Sequence, residues 1–444
     1  MNSNPAVTLL PYDILHDLFI LCTKDAIQSG DFYLPVVLSH VSSSWRFTAL
    51  TMPVLWSSIY TSSPNSEPAH QRSAAYFERS QGTNVNVWVR VPQAPNLDAS
   101  DPEFALLARN AHRIVTLGLL CADMDQMPTL LGCLQVAMPA LQLLRVVVRS
   151  RATEFTLRLT PGGSTLPAIP FRLPAIDGGI QWSNWSAAGL THLSLNGLTR
   201  KARPSMESLW HMLDSCKATL QTFEFKGWAP SWTAGNSVLT PVDLPMLRYL
   251  ELFWMDDISA LAGLISAPDL RCLVLTDGMV ITNPYSSEDD PEDFSDCNVS
   301  RLLRYLGPCC RGLEDLTLNG VHNCSRSDVD RFFATMSACE SIVLCAVDGA
   351  VMDALFQPEC RFRLPSDVVL PRLRYLSVTD TIPSDLGRFL LRHKSLDVAP
   401  LQSVYLTAEQ VAEAYHPTRS FLGAILDMCV DDGLRVSSSQ RLLQ

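Results

Sequence analysis

The 444-residue chain has no C-x-x-C pair, no H-E-x-x-H, no G-x-S-x-G and no glycine-rich phosphate loop. These gaps remove zinc ribbons and redox dithiols, helical zinc proteases, serine hydrolases of the strand–turn–helix type and nucleotide-binding loops. The vicinal pair Cys309-Cys310 has no zinc spacing, and the nine histidines form no second ligand cluster, so neither metal nor cofactor is expected. Basic charge is short. There are 34 Lys and Arg against 45 Asp and Glu, a net charge of −11, the reverse of the basic surface that nucleic acid selects. No apolar run approaches the roughly twenty residues that span a bilayer, and MNSNPAVTLLPYD lacks the basic start of a secretory signal. The 13 cysteines are scattered and odd in number, which suits buried thiols in a reducing compartment. A cytoplasmic or nuclear protein with no membrane contact is the expectation, and the sequons at Asn184, Asn298 and Asn323 are read as chance.

What is present falls into two patterns. The first is Leu9 to Ile59. Leu10-Pro11 opens a helix, because proline at a first helical position forfeits no hydrogen bond. Ile14, Leu15, Leu18, Phe19 and Cys22 follow at helical spacing, and Leu38, Val41, Trp45 and Ala49 repeat the step after a long polar break, Thr23 to Tyr33. Pro53 stops the pattern just before Leu55-Trp56. Two or three short helices of this composition carry more apolar surface than they can bury on themselves. They want a partner.

In order, LPYDILHDLFILC, LPVVLSHVSSSWRFTAL and MPVLWSSIY match LP-x-x-IL-x-x-hF, L-x-x-V, W-R and P-x-LW, and the stretch resembles an F-box of the basidiomycete type. The resemblance implies a helical bundle that holds a Skp-type adaptor, and through it a cullin scaffold. The positions it assigns to the bundle or its adaptor contact are Leu10, Pro11, Ile14, Leu15, Leu18, Leu38, Val41, Trp45 and Leu55.

The second pattern is a repeat. Apolar triplets of the form L-x-x-L-x-L recur as Ile114/Leu117/Leu119, Leu141/Leu144/Val146, Leu190/Leu193/Leu195, Leu220/Phe223/Phe225 and Leu247/Leu250/Leu252. They continue as Leu270/Leu273/Leu275, Leu313/Leu316/Leu318, Cys339/Ile342/Leu344, Leu373/Leu376/Val378 and Leu401/Val404/Leu406. Most spacings fit one strand and one helix per unit of a leucine-rich repeat. The two long gaps hold the Pro/Gly-rich Ser164 to Gly179 and the acidic Ser286 to Asp296, expected as a mobile excursion. Helices capped by Ser205, Ser327 and Ser384 are expected between strands. Asn or Cys, usual three positions past the last strand leucine, is replaced by Leu198, Trp228, Met255 and Val321.

The expected fold is therefore α/β: an F-box helical bundle over 5–60, a linker and capping region over 61–110 containing a helix Gln71 to Ser80 and a strand VNVWVRV, and a leucine-rich-repeat-like α/β solenoid with a parallel sheet over 111–435. Ten triplets are expected side by side in chain order with their leucines inward. Alternation then puts Glu224, Lys226, Tyr249, Glu251, Phe253, Thr276, Asn319 and Tyr375 on the opposite face, as a surface for a protein substrate. Together the two patterns imply a non-enzymatic substrate-recruiting subunit of a Skp–cullin–F-box ubiquitin ligase. The alternatives are a repeat scaffold that does not direct ubiquitination, and an enzyme with a site in the long insertions.

Overall fold

In the computed structural model the described residues are 11–61, 67–91, 102–121, 138, 140–149, 154–161, 190–198, 200, 203–231, 239–278, 297–356, 370–379, 383–395, 400–414, 421–431 and 434–438. Leu10 and both long insertions, including the acidic run, lie outside them. The chain is α/β, and its contacts divide it into two units, Met1–Leu190 and Thr191–Gln444.

The first unit opens with α1 (Tyr12–Gln28), α2 (Leu34–Ser39) and α3 (Ser43–Leu50), then a 3-10 turn, Pro53–Trp56. Pro11 stands just before α1 with Asp13 in its first turn, where a carboxylate meets the positive end of the helix. α1 does not stop at Thr23. It continues one and a half turns to Gln28, because Thr23 is buried four residues after Phe19 and Ala26 and Ile27 keep the helical step. The polar break expected from Thr23 to Tyr33 is thus a connection of only Ser29 to Tyr33. Ser42 caps α3, its hydroxyl accepting from the Trp45 N–H at 3.1 Å.

The residues SIYT, after the 3-10 turn, are not the tail of a bundle but strand β1 (Ser58–Thr61), which pairs in parallel with β2 (Val85–Val91). Between them runs α4 (Glu67–Arg79), four residues earlier than its sequence start. Next come α5 (Pro102–Asn110), β3 (Ile114–Cys121) and β4 (Leu143–Arg149), with β2, β3 and β4 parallel neighbours. Val85, Val87 and Val89 are fully buried, as their alternation predicts. Gly118 has no side chain because the Trp88 indole occupies that space.

β5 (Glu154–Pro161) was not legible. It returns antiparallel to β4, so the run of parallel neighbours stops there. Its alternation, Phe155, Leu157 and Leu159, lacks the triplet that marks the other strands.

Arg113 ties this unit together. It is buried, and its guanidinium donates to the Phe77 carbonyl at 2.6 Å, the Ser80 hydroxyl at 2.9 Å and Asn110 Oδ1 at 3.0 Å. With the Ser80 hydroxyl it thereby satisfies the Phe77 carbonyl, one of those that the last turn of α4 leaves without a helical partner.

The second unit is one parallel sheet in chain order. Its strands are β6 (Leu190–Leu198), β7 (Thr222–Gly227), β9 (Tyr249–Trp254), β11 (Cys272–Asp277), β12 (Asp315–Asn319), β13 (Ser341–Cys345), β14 (Tyr375–Val378), β15 (Ser403–Leu406) and β16 (Arg435–Ser438). β8 (Val242–Asp243) and β10 (Ile265–Ser266) make a separate parallel pair. Eight triplets lie in this unit, in one register. Leu193, Phe223, Leu250, Leu273, Leu316, Ile342, Leu376 and Val404 are lateral neighbours, and all are buried. Each such side chain contributes about 1.5–3 kcal/mol by leaving water, so the ladder is the core. Leu198, Trp228, Met255 and Val321 are buried as well.

Helices α6 (Met206–Cys216), α7 (Ser259–Gly263), α8 (Val299–Leu306), α9 (Arg326–Ala334), α10 (Gly349–Phe356), α11 (Pro383–Ser395), α12 (Ala408–Ala414) and α13 (Phe421–Asp431) make the crossovers. Neighbours from α7 to α11 pack on each other in turn. Ser205 caps α6 as expected, accepting from the Ser208 N–H at 3.1 Å. The cap of α9 is Ser325 rather than Ser327, since only Ser325 precedes the first turn and reaches the Asp328 N–H, at 3.2 Å. Trp210 does not join the inner face of α6. It stays half-buried and donates to the Thr240 carbonyl at 2.8 Å.

α11 carries a pH-dependent liability. His393 is 6% exposed, stands 5.7 Å from the Phe389 ring, and its Nε2 has no hydrogen-bond partner among the described residues. Burial holds its imidazole below the ordinary value of 6.5. Between that lowered value and 6.5 the unfolded chain binds more protons, so stability falls as pH drops through this window. Thermal melts at pH 7.5 and 5.5 should show a larger loss for the native chain than for His393→Leu. Equal losses would mean the imidazole does not titrate between the two states.

Candidate protein-binding surfaces

The first candidate is the helical start of the chain. Among the described residues, ten of the fifteen exposed large apolar side chains fall between Tyr12 and Val54: Tyr12, Ile14, Leu18, Leu21, Tyr33, Val37, Val41, Phe47, Leu50 and Val54. Scattered single exposures need no explanation, but a concentration of this kind marks an interaction site. On α1, Ile14, Leu18 and Leu21 recur at steps of four and three and form an exposed stripe, 49%, 40% and 65% accessible. Leu15 and Phe19 form the parallel stripe one position over, and they are buried.

That split sorts the nine residues assigned by resemblance. Pro11, Ile14, Leu18 and Val41 are exposed and available to a partner. Leu15, Leu38 and Leu55 are 6%, 8% and 1% exposed and belong to the internal packing. Trp45 is half-buried, edge-on to Phe19 with ring centroids 5.0 Å apart. Leu10 lies outside the described residues. Sequence reading missed Tyr12, Leu21, Tyr33, Val37, Phe47, Leu50 and Val54. Leu21 continues the Ile14–Leu18 step and was open to discovery, whereas the others sit off the motif positions.

The helices are fixed to the rest of their unit by aromatic contacts. The buried Trp56 indole donates to the Ala49 carbonyl at 2.8 Å, stands edge-on to Tyr76 at 5.0 Å, and is covered by the Arg79 guanidinium at 4.4 Å from its ring. Tyr76 donates its hydroxyl to the Phe32 carbonyl at 2.8 Å, and burial pushes the phenol up to about 12. Phe32 stacks on Tyr60 of β1 at 5.1 Å. Phe32, Tyr33, Ile59, Tyr60, Arg72, Ser73 and Tyr76 line a small recess.

Beside it, Glu103 is buried and accepts from or pairs with His70 Nδ1 at 3.2 Å. Burial raises the Glu103 carboxyl, and the neighbouring Ser73 and His70 side chains oppose that rise. The Ser73 hydroxyl donates to the Ala69 carbonyl, and the carboxylate rather than the imidazole is its charged neighbour. The order is unsuited to activating a serine, where the imidazole must stand next to the hydroxyl. The pair ties α4 to α5. Among the described residues no group of three or more His, Cys, Asp or Glu side chains could hold a metal ion, and no helix is long and apolar enough to cross a membrane.

Buried and half-buried thiols are unreactive by the same physics. Burial pushes Cys216, Cys297, Cys324 and Cys339 up to about 12, so almost none is thiolate near neutrality. Among the described cysteines only Cys22, on α1, is exposed.

The second candidate is the sheet face of the second unit opposite the leucine ladder. Three rows cross it. One runs Thr222, Tyr249, Cys272, Asp315, Ser341, Tyr375; the next Glu224, Glu251, Val274, Thr317, Val343, Ser377; the third Lys226, Phe253, Thr276, Asn319, Cys345. All eight residues expected on this surface are on it. Tyr375 is exposed, Thr276 is only 8% accessible, and the other six are half-buried. Thr276 sinks between Phe253 and Asn319, its neighbours on either side, and accepts from Asn319 Nδ2 at 3.4 Å.

Lys226 Nζ meets Glu251 Oε1 at 2.7 Å, Tyr249 donates to Glu251 Oε2 at 3.0 Å, and Ser194 donates to Glu224 Oε2 at 2.6 Å. Burial and the Glu251 charge both raise the Tyr249 phenol. The face is polar, aromatic and partly desolvated, as protein-binding surfaces are.

No protein-family model matches this chain, and no curated protein matches it. The surfaces stand on their own geometry.

Proposed function

We propose that the chain is an F-box protein whose N-terminal helices hold a Skp-type adaptor and whose parallel α/β array, a leucine-rich-repeat-like solenoid, holds a protein destined for ubiquitination. The observation that carries the reading is the exposed stripe Ile14–Leu18–Leu21, which lies in the stretch resembling an F-box and is left uncovered by the described residues. Two features support it. The helices are anchored through Trp56 and Tyr76, so the stripe is preorganised rather than floppy. The repeat units are in register over eight strands, giving a broad second surface.

In this reading the chain breaks no bond. It raises the effective concentration of substrate lysines beside a ubiquitin-loaded enzyme held elsewhere on the scaffold. Its setting would be the cytoplasm or nucleus, where cullin assemblies work. The test is reconstitution: the chain, adaptor and cullin–RING pair, with ubiquitin and its loading enzymes, should modify a bound partner only when the chain is present. Adaptor binding without ubiquitin transfer would favour the scaffold alternative.

A further inference from the structure

The partner face of the second unit breaks a local rule at one place. Glu224 and Glu251 are direct lateral neighbours on adjacent parallel strands, about 4.8 Å apart across the sheet. Like charges so placed destabilise a sheet. Among the described residues one cation of this face, Lys226, offsets them. Lys226 and the Tyr249 hydroxyl occupy both oxygens of Glu251, whereas among the described residues Glu224 receives the Ser194 hydroxyl on Oε2 and nothing on Oε1. Asp315, exposed in the neighbouring row, adds a third carboxylate. The imbalance extends beyond the face. Residues 191–444 hold 22 Lys and Arg against 32 Asp and Glu, while residues 1–190 are nearly neutral, at 12 against 13.

The rest of the row is different in kind. From Glu251 it passes to Val274, Thr317 and Val343, then Ser377 and Tyr405. Acidic groups stand at one end, small apolar or hydroxyl side chains in the middle, and an aromatic at the far end.

We infer that this row is the seat of an extended protein segment that brings a lysine or arginine to Glu224 and small apolar side chains to Val274 and Val343. The inference rests on the proposal that this face binds a protein. It narrows the partner to one presenting a basic, otherwise apolar strand. From β7 to β15 is six strand steps, about 29 Å, which an extended chain of about nine residues covers. The unfilled carboxylate oxygen supplies the charge complementarity that fixes register.

The test uses the full chain and two fluorescein-labelled nonapeptides. Each has three central valines and a terminal tyrosine. One carries two arginines at the opposite end, and the other carries two glutamates there. Fluorescence polarisation should show the arginine peptide binding at least ten times more tightly, with the advantage shrinking as salt rises. Glu224→Gln should weaken it about tenfold while leaving the melting temperature unchanged or higher, since the like-charge pair is relieved. Glu224→Lys with Glu251→Lys should invert the preference between the peptides.

Equal affinity for both peptides, no binding of either, or an unchanged preference after charge reversal would overturn the inference. Adaptor capture, measured on the same preparations, separates the two levels. If it persists while the peptides fail, the basic-segment inference alone is lost. If the native chain captures no adaptor, the ligase reading falls whatever the peptides do.

Discussion

Replacing Ile14 and Leu18 together by aspartate should abolish adaptor capture and leave the fold intact. Both side chains are half-exposed on one stripe of α1, so the free protein loses little by the change; surface substitutions of this kind stay within about 0.5 kcal/mol. In the bound state two carboxylates would be driven into an apolar contact with no partner. Truncating one central anchor commonly costs about 2 kcal/mol or more. Two buried charges should therefore cost at least about 2.8 kcal/mol, a hundredfold in affinity. Cys22, one turn beyond Leu18, reports on the same surface. Adaptor should slow its alkylation, read by peptide mass spectrometry, in the native chain and not in the double variant. Unimpaired capture by the double variant would show that α1 does not carry the contact.

The opposite outcome is expected at Trp56. It is fully buried, donates to Ala49, stands against Tyr76 and lies under Arg79. Trp56→Ala should cost about 3–5 kcal/mol, the range for emptying a large aromatic site. At roughly 2–4 °C per kcal/mol for a unit of this size, the first unit should melt about 10 °C lower. Adaptor capture should then fail by loss of the helices' footing. Trp210→Ala is the control. That indole is half-buried with a single hydrogen bond, so about 1 kcal/mol is expected. Comparable melting shifts for the two variants would mean that Trp56 is not the joint it is taken to be here.

The difference between Ile14 and Trp56 also marks what sequence could and could not give. The triplets were legible because parallel strands, covered by crossover helices on one side, need apolar residues at alternate positions, and that pattern survives in linear order. Eight of the ten fall into a single register, from Leu193 to Val404. β5 escaped because an antiparallel return needs only local alternation and a turn. The end of α1 escaped because Thr23 looks polar in sequence, yet sits in the core at 4% exposure.

For the site, motif spacing picked out the apolar residues without dividing them. Leu15 and Ile14 are adjacent in sequence and equally apolar, and only the packing of α1 on α2 and α3 sends one inward and leaves the other in water. On the sheet face, alternation placed all eight residues correctly. It could not foresee that Thr276 would be covered, since that depends on the bulk of Phe253 on the strand beside it.

The most direct test of the central claim is calorimetric titration of the full chain with a Skp-type adaptor from its own source. The account predicts one-to-one binding with a dissociation constant at or below the micromolar range, about −8 kcal/mol, and no heat with the Ile14→Asp, Leu18→Asp variant. A native chain that shows no binding at micromolar concentrations would contradict it, and the N-terminal helices would then be a cap on a repeat protein of another kind.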